Sequence, residues 1–362
     1  MKTGDFCTPE WFAQDQQRHM EPHRGRLLIA GCRSGGDLVE KVVETYQNLL
    51  RKNGSGEKVP SLLSIDSQFS DTETHVRLEN HVNGSDVFLF QSLYDPGSGL
   101  NINEKYMRFL IAVRTFRECG AGHITGVLPY LAYARQDKPT KFMREPTTAR
   151  LMADMAVEAG IDRLITWDPH CAQIRGYYGK VQFNGLESLS LFLDIFMDFR
   201  GRDDVIVVAP DEGASKFVTH FGRAMNLKCA IASKFRPRPE VAEISEVIGD
   251  FSGKKTAIIL DDMVSTGGTI EALIRHLVGK LRICEIYLGA SHNLCTERFR
   301  TILAALHEKS CLKKVYVTNS IPQTPEFTSL PFVEVRCLSD SLCRVINRIH
   351  YSRSVSEVFY RP

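Results

Sequence analysis

Long apolar runs are missing from this sequence. No stretch approaches the roughly 20 apolar residues that a membrane span requires, and residues 1–25 are polar and lack the apolar core of a secretion signal. Net charge is also nearly absent, at +2 for 362 residues. The surface as a whole therefore does not predict binding to nucleic acid or to membranes.

Paired cysteines are absent as well. The ten cysteines are scattered singly from Cys7 to Cys343, with no CxxC pair and no metal-ligand spacing. In a chain of this size the pattern predicts free thiols in a reducing compartment. We therefore expect a cytoplasmic protein.

Short apolar runs and helical stretches alternate from Arg26 onward, which predicts parallel sheets of the α/β class. The runs are continuously apolar rather than alternating, as in strands covered on both faces. The predicted strands are Leu27–Ala30, Val87–Gln91, Ile124–Leu128, Leu164–Trp167, Val205–Ala209, Cys229–Ala232, Ala257–Leu260, Ile283–Ala290 and Val315–Asn319. The predicted helices include Asn103–Arg117, Thr147–Ala159, Ser215–Met225, Gly268–Leu277 and Ser339–His350.

The segment TAIILDDMVSTGGT, residues 256–269, has the features of a sugar-phosphate site. An apolar strand leads into two acids and then into a turn that opens a helix, where glycines and exposed amide groups can surround a phosphate. The acids repel phosphate, so we expect them to hold vicinal sugar hydroxyls or a magnesium ion. An ordinary strand–turn–helix corner uses the same residue types. The candidate residues are Asp261, Asp262, Ser265, Thr266, Gly267, Gly268 and Thr269.

This segment resembles the phosphoribosyl pyrophosphate loop of type I phosphoribosyltransferases and of their pyrophosphokinase relatives, two groups that the loop alone cannot separate. Further segments resemble the ribose-phosphate pyrophosphokinases specifically. The first is FSDTE, residues 69–73. The resemblance implies that Phe69 stacks on adenine while Asp71 and Glu73 hold its edge.

Two other segments of the first half also resemble this family. They are LPYLAYARQD, residues 128–137, and ITWDPHCAQIRG, residues 165–176. Arginine after a strand supplies fixed donors for phosphate oxygens. The resemblance implies ATP contacts at Arg135, Gln136, Asp137 and His170, and metal contacts at Asp168 and His170.

The second half contains a basic segment, ASKFRPRPEVAE at residues 232–243, that resembles the mobile catalytic loop of the family. The resemblance implies that Lys234 and Arg236 are catalytic, with Arg238 in the same charge run. It also places Asp211, within VVAPDEGAS, at the ribose 5-phosphate and metal site.

The resemblance covers nearly the whole chain after residue 25, and it implies pyrophosphoryl transfer from Mg-ATP to ribose 5-phosphate. The implied fold is two tandem type I phosphoribosyltransferase-like domains, with mostly parallel sheets flanked by helices, in a homo-oligomer built from dimers. The expected divisions are an N-terminal extension (1–25), an ATP-side domain (26–181), a ribose 5-phosphate-side domain (182–338) and a C-terminal helix packing on the first domain (339–362). One alternative is a non-catalytic regulatory subunit of the family. Another is a phosphoribosyltransferase, which would need only one such domain.

Overall fold

The chain forms two compact units. In a computed structural model, residues 6–19, 24–238 and 241–359 are described, apart from the side chains of residues 15–19, 234–243, 357 and 359. Unit 1 comprises Met1–Leu186 and Cys337–Pro362, and unit 2 comprises Glu187–Arg336. Of the N-terminal extension expected at residues 1–25, residues 1–5 and 20–23 lie outside the described part.

Unit 1 is built on a sheet whose described strands run in the order β2-β1-β5-β6-β7-β8, with every neighbouring pair parallel. Its central strands are fully buried, which is why their sequences are continuously apolar. A separate antiparallel ribbon, β3–β4, branches off between β2 and β5. The strands are β1 (Leu27–Gly31), β2 (Ser61–Leu62), β3 (Asp66–Gln68), β4 (Thr74–Val76), β5 (Asp86–Phe90), β6 (His123–Val127), β7 (Arg163–Trp167) and β8 (Gln182–Leu186).

The helices of unit 1 cover this sheet through apolar stripes. In one of them, the side chain of Asn101 accepts a bond from the Glu104 amide and the Glu104 carboxylate accepts one from the Asn101 amide, a capping box that fixes the start of the helix. The helices are α1 (Pro9–His19), α2 (Gly36–Lys52), α3 (Ile102–Glu118), α4 (Thr148–Ala159), α10 (Ser339–His350) and α11 (Ser356–Phe359), with a 3₁₀ segment at Ala172–Tyr178.

Unit 2 contains a sheet whose described strands run in the order β11-β10-β9-β12-β13-β14-β15. Neighbouring strands are parallel except β10 and β11, which are antiparallel. The strands are β9 (Val205–Ala209), β10 (Lys228–Arg238), β11 (Val241–Ile248), β12 (Thr256–Val264), β13 (Glu285–Asn293), β14 (Leu312–Thr318) and β15 (Val333–Arg336). The helices are α5 (Leu189–Ile195), α6 (Ser215–Met225), α7 (Gly268–Gly279), α8 (Glu297–Lys309) and α9 (Pro325–Thr328), with a 3₁₀ turn at Met197–Phe199.

The predicted α/β class with mostly parallel sheets is confirmed, and each predicted strand and helix has a counterpart. The units meet in sequence at Leu186/Glu187 and Arg336/Cys337, whereas the sequence placed the divisions at 181/182 and 338/339. The first difference arises because residues 182–186 form β8, an edge strand too polar to be recognised as a strand. Among the described helices, none is long and apolar enough to cross a bilayer.

A segment near the start of the chain and helix α10 near its end contact each other within unit 1. Helix α10 packs on α2, where the Cys343 thiol donates to the Val42 carbonyl. The buried side chain of Asn347 bonds both backbone groups of Cys7, its Oδ1 accepting at 3.0 Å and its Nδ2 donating at 2.9 Å. Phe12 and Tyr351 complete a small apolar cluster beside this contact. Residues 6–12 are therefore an integral part of unit 1.

A buried carboxylate connects three distant parts of the same unit. Asp86, at the start of β5, has no exposed surface, and its oxygens bond the Arg24 guanidinium at 3.1 Å and His350 Nδ1 at 2.9 Å. Burial alone would raise the pKa of Asp86, but the His350 and Arg24 hydrogen bonds and the charge of Arg24 outweigh it, so the pKa lies below its usual range. The ionised carboxylate thus stabilises the fold.

We expect Asp86→Asn to destabilise unit 1 by about 3 kcal/mol at pH 7, because it leaves Arg24 without its buried partner. The sequence contains two tryptophans, Trp11 and Trp167, and both lie in unit 1, so urea unfolding followed by tryptophan fluorescence reports on this unit. Because the folded pKa is depressed, the contribution of the carboxylate is present above about pH 4 and lost as the pH falls through the folded value.

The matched control is Asp154→Asn, which removes an exposed ion pair with Arg150 on α4 and should cost less than about 1 kcal/mol. Equal losses in the two variants, or a difference from wild type that does not shrink in acid, would contradict the role assigned to Asp86.

Candidate active site

Three neighbouring strands of unit 2 end in the charged segments singled out by the sequence. Strands β10, β9 and β12 lie side by side and run parallel. Asp211 follows β9, the two acids lie near the end of β12, and Lys234 lies beyond the part of β10 that pairs with β9. Because the carboxyl ends of parallel strands meet at one edge, these three positions lie along the same edge of the sheet, where open α/β sheets bind their ligands.

The turn after β12 has the form of an anion cradle. Gly267 precedes α7 with φ +79°, a left-handed conformation that favours glycine. As a glycine it offers no side chain to cap the helix, so the first amide groups of α7 are left to a ligand. Ser265, Thr266 and Thr269 are half-buried around this turn. The arrangement suits a phosphate group.

Residues at the start of helix α8 contact the turn and support its conformation. The hydroxyl of Thr296 donates to the Ser265 carbonyl at 2.9 Å and also accepts the Phe299 amide at 3.3 Å, which caps α8. The Leu294 amide donates to the Val264 carbonyl at 3.0 Å. The fully buried ring of Phe299 occupies the space that a Cβ on Gly267 would need. The turn is thus shaped by packing as well as by its own glycines.

Three carboxylates interact electrostatically beside the cradle. Asp261 Oδ1 accepts the Asp262 amide at 3.0 Å, and Asp211 Oδ1 accepts the Ala214 amide at 3.2 Å. Loss of hydration raises the pKa of Asp261 well above its usual range, and the charges of Asp262 and Asp211 raise it further. A site with this much negative charge favours a cation or hydroxyl donors over a bare anion.

Within the basic segment, residues 232–238 and 241–243 belong to the two strands of an antiparallel pair, β10 and β11. Lys234 lies opposite Ile244, and Phe235 opposite Glu243. The register shifts between Ser233 and Lys234 and again between Phe235 and Arg238, so the ladder is irregular around the cations. The side chains of Lys234 and Arg236 lie outside the described part of the structure, as do residues 239 and 240.

In unit 1, the segment FSDTE forms the tip of the β3–β4 ribbon. The Phe69 amide donates to the Glu73 carbonyl at 2.9 Å, and Asp71 Oδ1 accepts the Glu73 amide at 3.1 Å. The Phe69 ring lies 4.9 Å from the His75 ring and leaves 53% of its residue surface exposed. The tip therefore presents an aromatic face beside two exposed acids.

The other segments of unit 1 follow adjacent parallel strands, β6 and β7. After β6, Arg135 and Gln136 are exposed, whereas Asp137 is buried. After β7, Asp168 has φ +38°, an unusual conformation for a residue other than glycine, and His170 is exposed. The structure thus brings these two segments together at one sheet edge.

Asp137 connects the two segments directly. Its Oδ2 accepts bonds from the Cys171 thiol at 3.3 Å and from Gln173 Nε2 at 2.8 Å, and its backbone carbonyl accepts one from the Tyr177 hydroxyl at 2.5 Å. The family resemblance implies an ATP contact at Asp137, and the sequence analysis assigned no role to the three donors.

A metal held entirely by protein is not found in the described residues, where no three His, Cys, Asp or Glu side chains converge on one point. Mg²⁺ usually keeps several waters and binds through one or two carboxylates together with substrate phosphates. Asp168, His170 and Asp211 are compatible with that sparse kind of coordination, in their separate units.

The supporting residues Thr296, Phe299, Cys171 and Gln173 were missed by sequence reasoning. For Thr296 a signal existed, since a Thr before an acidic first turn is typical of a helix N-cap. For the other three no local pattern marks the role, because each acts on a partner about 30 residues away in the chain.

Two family models and several curated proteins match this chain. Residues 27–160 match the family described as the N-terminal domain of ribose phosphate pyrophosphokinase, and residues 232–360 match the phosphoribosyl synthetase-associated domain. A ribose-phosphate pyrophosphokinase of Caldanaerobacter subterraneus is 37% identical over 299 residues, which is 80% of this chain and 88% of that protein. One of Clostridium acetobutylicum is 36% identical over 297 residues, covering 81% and 88%.

The fold is similar to that of a solved structure, the phosphoribosylpyrophosphate synthetase of Mycobacterium smegmatis. The TM-score is 0.75 at 26% identity, over 90% of this chain and 99% of that one. The predicted fold of two tandem phosphoribosyltransferase-like domains is thereby confirmed.

We expect Gly267→Ala to destabilise unit 2 by about 2–4 kcal/mol, because the substitution forces a left-handed alanine and overlaps the Phe299 ring. The control is Gly279→Ala at the other end of α7, where no atom lies within 4 Å of the added Cβ and stability should rise by up to about 1 kcal/mol. Calorimetric unfolding of both variants tests this, and a Gly267→Ala protein as stable as wild type would refute the packing described.

Proposed function

The chain belongs to the ribose-phosphate pyrophosphokinase family, and from this premise we propose that it moves the β,γ-pyrophosphoryl group of Mg-ATP onto the anomeric hydroxyl of ribose 5-phosphate. The products are phosphoribosyl pyrophosphate, a precursor for nucleotide biosynthesis, and AMP. The observation that carries the proposal is the cradle of unit 2, in which two acids precede a glycine turn and the open amide groups of α7.

Ribose 5-phosphate fits this cradle group by group. The amide groups of α7 and the hydroxyls of Ser265, Thr266 and Thr269 receive the 5-phosphate. Asp261 and Asp262 hold the vicinal ribose hydroxyls, directly or through the metal. Asp211 lies next to them and offers a second metal contact. The negative cluster therefore faces the sugar while the helix terminus faces the phosphate.

ATP is assigned to unit 1. The exposed face of Phe69 stacks on adenine, and Asp71 and Glu73 accept from its amino group. Arg135, Gln136 and His170 are exposed at the carboxyl ends of β6 and β7, where they bind the phosphates or the metal that the phosphates carry. An aromatic side chain this exposed on a ribbon also suits a nucleotide shared with a neighbouring subunit. We accordingly propose a homo-oligomer built from dimers.

The chemistry is electrostatic and needs no covalent intermediate. The anomeric hydroxyl attacks the β-phosphorus of ATP, the bond to the α-phosphate oxygen breaks, and AMP leaves with that oxygen. Lys234 and Arg236 neutralise the charge that develops on the transferring group and on the leaving oxygen. Asp168, His170 and Asp211 would help to hold Mg²⁺, which would withdraw charge from the phosphate oxygens.

We also propose a cytoplasmic location, on the basis of the cysteines. None of the ten, all of which lie in the described residues, forms a disulfide, which suits a reducing compartment and hence the cytoplasm. A non-catalytic regulatory subunit remains the alternative function, and the presence in the sequence of Lys234, Arg236, Arg135 and His170 favours the enzyme.

We expect the purified protein to form AMP and phosphoribosyl pyrophosphate in a one-to-one ratio from ribose 5-phosphate, Mg²⁺ and ATP. Lys234→Ala should lower kcat on the order of 10²–10³-fold, since a cation that stabilises the transition state is removed. The control is Lys228→Ala on the same strand, where an exposed lysine pairs with Asp250 and activity should be unchanged. Folded wild type that forms no AMP would favour the regulatory subunit.

We expect Phe69→Ala to raise KM for ATP roughly 5–100-fold, the range that base–aromatic stacking supports, while KM for ribose 5-phosphate changes little. Phe142→Ala is a suitable control, because Phe142 is 97% exposed in the same unit and has no assigned ligand. Steady-state kinetics with each substrate varied in turn separates the two constants. An unchanged KM for ATP in Phe69→Ala would remove Phe69 from the nucleotide site.

A further inference from the structure

We propose that Asp137 is a positioning residue rather than a direct contact to the nucleotide, and that Cys171 and Gln173 are the donors through which it fixes the His170 segment beside Arg135. This inference rests on the proposed function, since it assigns a role within the proposed ATP site. It concerns the side chains that set the geometry of that site.

Burial separates Asp137 from its neighbours in sequence. Arg135 and Gln136 are exposed, whereas Asp137 retains 7% of its surface. One of its carboxylate oxygens already accepts two protein hydrogen bonds, from Cys171 and Gln173. A carboxylate so placed also carries the same charge as ATP, which makes it a poor direct ligand for phosphates.

The bonds cross from one strand end to the next. Val127 of β6 lies opposite Ile165 of β7. Beyond this pair, the segments that follow the two strands are no longer paired in the sheet. Asp137 rejoins them 34 and 36 residues along the sequence, at Cys171 and Gln173. Cys171 is the residue immediately after His170, so its orientation sets where the backbone of His170 lies.

The conformation of Asp168 shows that this segment is held under constraint. Its φ of +38° costs on the order of 1–3 kcal/mol for a residue other than glycine, and such conformations persist only where the surroundings enforce them. On one side the Asp168 amide donates to the Leu186 carbonyl at 2.7 Å. Three residues later, the Asp137 carboxylate accepts the bond from Cys171, so the segment is held on both sides of His170.

Cys171 is suited to the donor role by its geometry. Its Sγ lies 3.3 Å from Asp137 Oδ2, and the same oxygen accepts a bond from Gln173 Nε2 at 2.8 Å. A carboxylate oxygen accepts hydrogen bonds and a thiol can donate one, so Cys171 and Gln173 act together as the donors of this contact.

The kinetic test compares Cys171→Ala with Cys171→Ser. Alanine removes the donor and should raise KM for ATP about tenfold, the cost of one hydrogen bond to a charged group, whereas serine retains a donor and should restore most of the loss. KM for ribose 5-phosphate and the melting temperature should change little in both variants. Cys229→Ala is the control, because Cys229 is also half-buried but donates to the Val218 carbonyl.

Two kinetic outcomes would overturn the proposal. In one, Cys171→Ala keeps the wild-type KM for ATP. In the other, the alanine and serine variants lose affinity for both substrates together with thermal stability, which would indicate a merely structural role.

A second measurement does not depend on activity. Hydrogen–deuterium exchange of the peptide that contains residues 168–173, followed by mass spectrometry, reports how firmly this segment is held. Asp137→Ala removes the acceptor of both bonds and should raise the exchange of this peptide above that of wild type, and unchanged exchange would overturn the proposal. If wild type forms no AMP, the proposed function fails, whereas the exchange still tests the contact itself.

Discussion

The parallel direction of neighbouring strands is the constraint on which both candidate sites depend. Parallel pairing sends β6 and β7 in unit 1, and β10, β9 and β12 in unit 2, to a common edge within each sheet. Backbone groups inside the sheets are bonded to one another and both faces are covered, so polar side chains accumulate where the strands end. The segments that contain Arg135 and His170 therefore follow adjacent strands, and the bonds of Asp137 to Cys171 and Gln173 join them.

The strands that were not predicted from the sequence show which strands an apolar run can identify and which it cannot. In the two sheets they are β2, β8, β11 and β15, and all four lie at a sheet edge. An edge strand is covered less completely than a central one, so its sequence need not be apolar, as Gln182–Leu186 illustrates. The central strands were predicted because burial on both faces leaves little choice of residue. Strand β12 extends past its predicted end because Asp261, Met263 and Val264 continue the ladder with β13, whereas the two acids interrupt the apolar run.

The site could be predicted only where its residues form a local pattern. The acids, hydroxyls and glycines of residues 261–269 are contiguous, so their sequence describes the cradle without any knowledge of the fold. Thr296 acts on Ser265 from 31 residues away, and Cys171 acts on Asp137 from 34 residues away. Such residues are defined by tertiary contacts, and a single sequence carries little trace of them. The strand pairing of Lys234 with Ile244 was missed for a different reason, because a run of cations and prolines is typical of a loop.

The two units use different physical means to hold their loops. The glycine turn of unit 2 is held by packing, with the Phe299 ring against Gly267. The joined segments of unit 1 rest on a buried carboxylate with directed donors. Packing tolerates small displacements. A buried carboxylate that loses a donor destabilises the folded state considerably, so it restricts the positions of its donors more narrowly than packing does. Narrow specification suits the metal contact proposed for His170, because an imidazole that binds a metal must be oriented as well as near. The phosphate proposed for the helix cradle would instead be held by several equivalent amide groups.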